Sequence, residues 1–498
     1  MKSTRLAHAL VAVVASLSLA ACGAGDAVQS VTSSITGGST SADTASASTA
    51  VESHAQADDV RYDAADAVTV SLADSGSTVS GEGATVDGST VRITAPGTYV
   101  LSGTLTDGGV VVDSAAEGKV RLVLDDATVT SASGAAIAVT AADEVVVVLA
   151  DGSSNTLSDG TGYDTSAEDA PNAALFSMAD LTIGGAGSLT VTGNTGDGIG
   201  SKDGLVVLGG TITVTAADDA LRGKDYVIVE DGTLDLTATE DGVKADNETE
   251  VELGAVVINA GDVSIDAGDD GIHAEGALDI AGGTTTITRS NEGLEGSAIS
   301  LRGGTVSVTS SDDGVNGSSS TSTDTTTTPQ GPGGGGGGMG DDGSTVVISG
   351  GTLTVDAEGD GLDSNGSLAI SGGTVTVAGP TGNGNGSLDS NGGISVTGGT
   401  LVAAGSGGMA EAPDADSEQS FVQAAVEVAA GDTVTVRSGD TVVATYAAVK
   451  DAQNIMVSTG DISAGESYDV WVGDSRAATV TAGQATGGGM GGGMGPRR

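Results

Sequence analysis

From residue 100 to about residue 410 the chain is written in short alternating runs such as "VLSGTLTDGGVVV", "LVVLGGTITVTA" and "AISLRGGTVSVTS". Apolar residues fall at every second position, which is the period of a β-strand and not of a helix. In "LVVLGGTITVTA" this alternation puts Leu205, Val207, Ile212 and Val214 on one face and predicts polar residues on the other. Glycine turns separate the runs, so each unit holds two or three strands of three to five residues. A unit that small cannot bury its own apolar face. Stacked copies can, as parallel in-register ladders about 4.8 Å apart.

The units repeat. Asp197, Asp219, Asp241, Asp270, Glu292, Asp313 and Asp360 occupy equivalent places, at intervals of 22, 22, 29, 22, 21 and 47 residues. A second marker keeps step with them, from Gly209-Gly210-Thr211 through Gly303-Gly304-Thr305 to Gly398-Gly399-Thr400. The base period is therefore 21 to 22, interrupted by insertions after Asp241 and Asp313. A leucine-rich repeat shares that period, but its Leu and Asn positions are missing. The calcium-binding roll of nine-residue repeats has a different period altogether. A parallel β-helix of about 22 residues per coil follows, spanning residues 58–410, with residues 100–195 as irregular first coils. From about 420 the runs lengthen ("VEVAAGDTVTVRSGDTVVATYAAVK"), which predicts an antiparallel β cap over 411–486 that closes the exposed sheet end.

Composition changes this picture in three places. Residues 317–343 and 487–498 are Gly- and Ser/Thr-rich, and neither segment can bury enough apolar surface to fold alone. The first is expected as a loop extruded from the solenoid, the second as a tail. Residues 22–57 are Ser, Thr, Ala and Gly, the composition of a flexible tether. Before them, "MKSTRLAHALVAVVASLSLAAC" sets Lys2 and Arg5 ahead of an apolar run, the pattern of a signal peptide over residues 1–21. The Leu-Ala-Ala-Cys stretch ending at Cys22 resembles a bacterial lipobox, which implies a lipid on the lone cysteine and an anchored, non-spanning protein on the outer face of the membrane.

The formal net charge is -50, from 67 acidic and 17 basic residues. Nucleic acid is excluded as a partner, because the Lys/Arg clusters that release its counterions are missing. Bound cations are the alternative use of so much acid. Asp197, Asp219, Asp241 and Asp270, one coil apart, are expected to stack, with Asp218, Glu240 and Asp269 beside them. Like charges about 4.8 Å apart repel by roughly 1 kcal/mol in water and by several near a protein. Cations, protonation or hydrogen bonds from turn N–H groups must compensate. Calcium suits such a site, taking six to eight oxygens from carboxylates, carbonyls and water. Asp-Gly pairs also serve plain turn chemistry, which suffices for any single pair. Arg222, Lys244 and His273 follow the acid by three residues and Lys202 and Lys224 by five. They either balance the column or grip a sugar acid.

The run "APGTYVLSGTLTDGGVVVD" through "PNAALFSMADLTIGGAGSLTVTGNTGDGIGSKDGLVVLGGTITVTAADDALRGKD", with "GESYDVWVG" near the end, resembles the bacterial extracellular carbohydrate-binding β-helix family, formerly a domain of unknown function. The match covers roughly residues 60 to 480 and rests on many short motifs in one order. The resemblance implies a right-handed parallel β-helix like that of calcium-dependent pectate lyases, bound Ca²⁺ around Asp219, Asp241 and Asp270, and affinity for cellulose or polygalacturonate. With one Trp, six Tyr and two Phe, a broad aromatic platform for sugar stacking is not expected. Contact through Ca²⁺ or hydrogen bonds along a flat polar face is expected instead, on a monomer that holds polysaccharide without cleaving it. Two other functions fit the same residues. One is a lyase with Lys224 or Lys244 as the base. The other is an envelope spacer or adhesin, for which tether, repeat and acidity suffice.

Overall fold

The computed structural model describes residues 51–167, 169–250, 253–319 and 340–486. The expected signal peptide, Cys22, the tail 487–498 and the core of the 317–343 insertion lie outside them. Among the described residues there is no helix. Strands run from Val68–Ala73 to Ser475–Thr481, and all but four belong to one large, mostly parallel sheet system.

Three parallel ladders make up this sheet, so the chain forms a solenoid. The first ladder sets Leu189 beside Ile212, Ile212 beside Leu234 and Leu234 beside Val263. The second is made of very short strands, Leu221–Gly223, Val243–Ala245 and Val315–Gly317 among them. The third pairs Leu181 with Leu205, Leu205 with Val227 and Val227 with Val256. Inward residues of all three meet in one continuous core of Val, Ile and Leu. Burying each such side chain is worth about 1.5–3 kcal/mol. Leu205, Val207, Ile212 and Val214 are all in it, as their alternation predicts.

Close stacking explains particular glycines. Gly185 has φ +118, and a Cβ there would lie 2.2 Å from the backbone oxygen of Leu149 in the preceding coil. Gly185→Ala is therefore expected to destabilise by at least ~2 kcal/mol, from a disfavoured φ and a clash with unyielding backbone. The shift in urea midpoint at constant m checks this.

Two expectations need correction. The outer face of the third ladder is not polar throughout: Val146, Val148, Val206 and Ile228 point outward and are buried. The cover is residues 51–61, and this is the second correction, because 51–57 do not continue the tether. Val51 and Ala55 pack on Val206, Tyr226, Ile228 and Ala255, and Val60 packs on Val123, Val146 and Val148. Polar contacts pin the same segment. His54 Nδ1 lies 2.7 Å from the Tyr226 hydroxyl and Nε2 lies 2.9 Å from Thr182 Oγ1. Lys119 donates to the buried Asp59 carboxylate at 2.5 Å.

At the C-terminal end, Thr400–Gly405 closes the first ladder and pairs antiparallel with Ala452–Ser458, which pairs antiparallel with Phe421–Val428. A separate four-stranded antiparallel sheet, Thr433–Ser438, Thr441–Ala447, Ser467–Val472 and Ser475–Thr481, follows with its own core.

Candidate acidic and basic rows on the solenoid

Each acidic turn leads from a strand of the first ladder into the second, where many strands are only three residues long. In such a strand the outer residues point inward and the middle one outward, as in Leu221–Gly223 and Leu362–Ser364. The middle positions stack in register. Gly200 lies beside Arg222, Arg222 beside Lys244 and Lys244 beside His273. Next come Glu295, Asn316, Asp363 and Asp389. The row is thus basic in its first coils and acidic in its last.

The turn acids form a second row behind it. Asp197, Asp219, Asp241 and Asp270 are 0%, 1%, 1% and 6% exposed, so they are core residues and not a surface stack. Their inner oxygens replace strand hydrogen bonds that the turn would otherwise lose. The Asp219 N–H donates to Asp197 Oδ1 (3.4 Å), that of Asp241 to Asp219 Oδ1 (3.0 Å) and that of Asp270 to Asp241 Oδ1 (2.8 Å). The pattern resumes where the Asp360 N–H donates to Asp313 Oδ1 at 2.6 Å. Charge-assisted bonds of this kind are roughly twice as strong as neutral ones.

The outer oxygens meet the basic residues. Lys244 Nζ sits 2.5 Å from Asp241 Oδ2. Arg222 lies 3.8 Å from both Asp197 and Asp219, and its other nitrogen bonds Asp246. His273 Nδ1 is 3.0 Å from Asp270 Oδ2 and 2.6 Å from Glu295 Oε2. Burial, then the neighbouring Asp219 charge, pushes Asp197 up to about 8. Burial raises Asp219 to about 6, against the pull of Lys244. For His273, burial favours the neutral ring, but the hydrogen bonds to Asp270 and Glu295 outweigh it and hold the imidazolium to about 10. Lys244 is likewise held protonated, burial being outweighed by Asp219 and Asp241. That argues against Lys244 as a general base, which must be neutral to act.

Beyond His273 the compensation changes. Burial raises Glu292 to about 7, Asp313 and Asp360 to about 6 and Asp363 to about 7, and their mutual repulsion adds to it. Among the described residues no Lys, Arg or His lies within 4.0 Å of these four or of Asp389. Asn316 Oδ1, between Glu295 and Asp363 in the row, is buried without a hydrogen-bond partner. Oxygen donors are what a hard divalent cation takes, but of these acids only Glu292, with Asp270 and Glu295, has its ligand atoms within 4.8 Å of two others.

Of the expected metal residues, Asp197, Asp218 and Asp219 bring ligand atoms within 4.8 Å of one another, as do Asp241 and Asp270 with His273. A third such group, Asp270, Glu292 and Glu295, was not expected. Glu240 and Asp269 join none of these groups. They are exposed, unlike the half-buried Asp218. Arg222, Lys244 and His273 come together in one row, while Lys224 stands exposed at the rim of a cleft of about 170 Å³ lined by Asn172, Asp197, Gly200, Ser201, Lys202, Arg222 and Asp246. Glu295, Asn316, Asp363 and Asp389 had a signal in the sequence: each stands three residues after a turn position, as Arg222, Lys244 and His273 do.

Residues 87–331 match the family model described as carbohydrate-binding domain-containing protein. A solved structure, that of a polysaccharide lyase-like protein from C. thermocellum in a gadolinium derivative, is 33% identical to this chain. The alignment covers 48% of this chain and 93% of that one, with a TM-score of 0.41. The match to the carbohydrate-binding-domain family spans just under half of the chain. A relative, a carbohydrate-binding domain-containing protein of Acetivibrio thermocellus, is 41% identical over 137 residues, which is 27% of this chain. The chain spans about half of that relative, 48% of its length.

Proposed function

We propose that this chain is a polysaccharide-binding module that holds an acidic glycan along its basic and acidic rows and does not cleave it. The observation that carries this is the change within one register row from Arg222, Lys244 and His273 to Glu295, Asn316, Asp363 and Asp389. The basic half faces sugar carboxylates directly. The acidic half would reach them through Ca²⁺ ions spread along the coils that carry Glu292, Asp313, Asp360, Asp363 and Asp389, the closest carboxylate group there being Asp270, Glu292 and Glu295, with Asn316 offering a neutral oxygen. Ca²⁺ held there would supply the positive charge that lets these acids face sugar carboxylates. The family name supports a carbohydrate ligand. Cellulose is the neutral alternative.

The solenoid of this proposal is a right-handed helix of about 22 residues per coil, supported by register steps such as Ile212 to Leu234, with the C-terminal antiparallel strands as its cap. The lipobox-like stretch at Cys22 supports a lipid anchor that presents a monomeric module outside the cell.

The full chain is expected to be retained on immobilised polygalacturonate, more strongly with Ca²⁺, and to release no unsaturated product absorbing in the ultraviolet. Product that vanishes in Lys224→Ala would replace the module with a lyase. Absence of retention on polygalacturonate and on cellulose would leave a spacer.

A further inference from the structure

The cleft beside Arg222 contains an imbalance that the acidic rows do not explain. In a chain with 67 acids and 17 Lys and Arg, basic side chains should find carboxylates easily. Most described ones do: Lys119, Arg289, Arg302 and Lys450 each have an acid within 4.0 Å. Among the described residues Lys202, Lys224, Arg61 and Arg437 have no acid that close, and of these Lys202 and Lys224 share one site. They occupy the same place on successive coils, since Ser201 lies beside Gly223 in the register. Their backbones stand about 4.8 Å apart along the ladder, and burial, then the charges of Arg222 and Lys224, disfavour the charged form of Lys202. The next place in that stack is Asp246, and Arg222 has already claimed its carboxylate.

Three features define what would neutralise the pair. Gly200 takes the place in the row just before Arg222 and puts no side chain of its own there, leaving a space bordered by Ala173 and by Asp197 Oδ2, 3.3 Å from where a Cβ would stand. Asn172, at the edge, spends its amide on Asp197. The volume, about 170 Å³, is well below the roughly 300–1,000 Å³ of sites that enclose a whole small molecule. It suits one charged group of a longer ligand. The site's two carboxylates, Asp197 and Asp246, both face Arg222, so the groups left without an ion-pair partner are the two ammonium cations.

We propose that Lys202 and Lys224, backed by Arg222, form a metal-independent carboxylate site that seats one uronate residue of a polysaccharide. The site deepens the glycan-binding reading and rests on it. Each lysine donates to one carboxylate oxygen, and the rest of the sugar chain leaves over the open edge at Gly200. The glycan is therefore anchored directly at these coils and through Ca²⁺ at the acidic ones.

The test uses the full chain in EDTA and affinity electrophoresis through polygalacturonate. Wild type is expected to be retarded without Ca²⁺, and Lys202→Gln/Lys224→Gln to weaken binding at least tenfold with an unchanged melting temperature. Lys202→Arg/Lys224→Arg should keep most of the retardation, and methyl-esterified polymer should lose it. If the Gln variant binds as wild type does, the carboxylate site is overturned and the glycan-binding reading stands. The site is overturned in the same way if wild type binds only with Ca²⁺, or binds esterified polymer equally. No binding under any condition would bring down both.

Discussion

Asp241→Ala is expected to destabilise the metal-free protein by about 3–5 kcal/mol, the range found when one member of a buried ion pair is removed. Two partners lose their acceptor at once. The Asp270 N–H loses Oδ1 at 2.8 Å and Lys244 loses Oδ2 at 2.5 Å, both in a place where Asp241 is 1% exposed. Asp241→Asn separates the two losses. Its amide oxygen still accepts from Asp270 while the charge facing Lys244 is gone, so a smaller loss is expected. Urea unfolding in EDTA measures both variants, and hydrogen exchange at the Asp270 amide reports the broken bond locally. If Ala and Asn cost the same, the N–H contact contributes nothing. If neither exceeds ~1 kcal/mol, the buried row is not holding the coils together.

The acid row was legible because a solenoid turns an interval in the sequence into a stack in space. Arg222, Lys244 and His273 fall into one row for the same reason. Burial was not legible. A run such as "EDGVKADN" looks like a solvated turn, and only the register shows that its Asp241 carboxylate accepts a backbone N–H from the following coil. The acidic end of the basic row was within reach, since "NEGLEG", "DDGVNG" and "GDGLDSNG" carry Glu295, Asn316 and Asp363 at the place of His273. Following the position instead of the charge finds them. Residues 51–61 were beyond reach, because their partners Lys119, Thr182 and Tyr226 lie 60 to 172 residues away. Their trace in the sequence was indirect: "EVVVVL" and "YVIV" are apolar on both faces, and so require a cover on the outside.

Raising the pH from 5 to 8 in EDTA is expected to lower the melting temperature, and Ca²⁺ to restore it most at pH 8. Asp197 is pushed up to about 8, Glu292 and Asp363 to about 7, and Asp219, Asp313 and Asp360 to about 6, burial being the main cause in each. An unfolded carboxyl titrates near 4. The folded state therefore binds protons that the unfolded chain has already released. Its advantage is fully present below about pH 4 and is lost as pH rises through 6 to 8. His273 acts in the same direction, since an imidazolium held to about 10 adds stability below its unfolded value near 6.5 and loses it on the way up. Glu295 opposes: held down to about 2 by His273 despite its burial, it costs stability only in acid, as pH falls through its folded value. The optimum in EDTA thus lies near pH 4–5. A bound dication takes the role of the protons, so its stabilisation grows as they leave. A melting temperature that rises from pH 5 to 8 in EDTA would show that the buried acids stay ionised without cost. A calcium shift equal at both pH values would remove the ion from the acidic row.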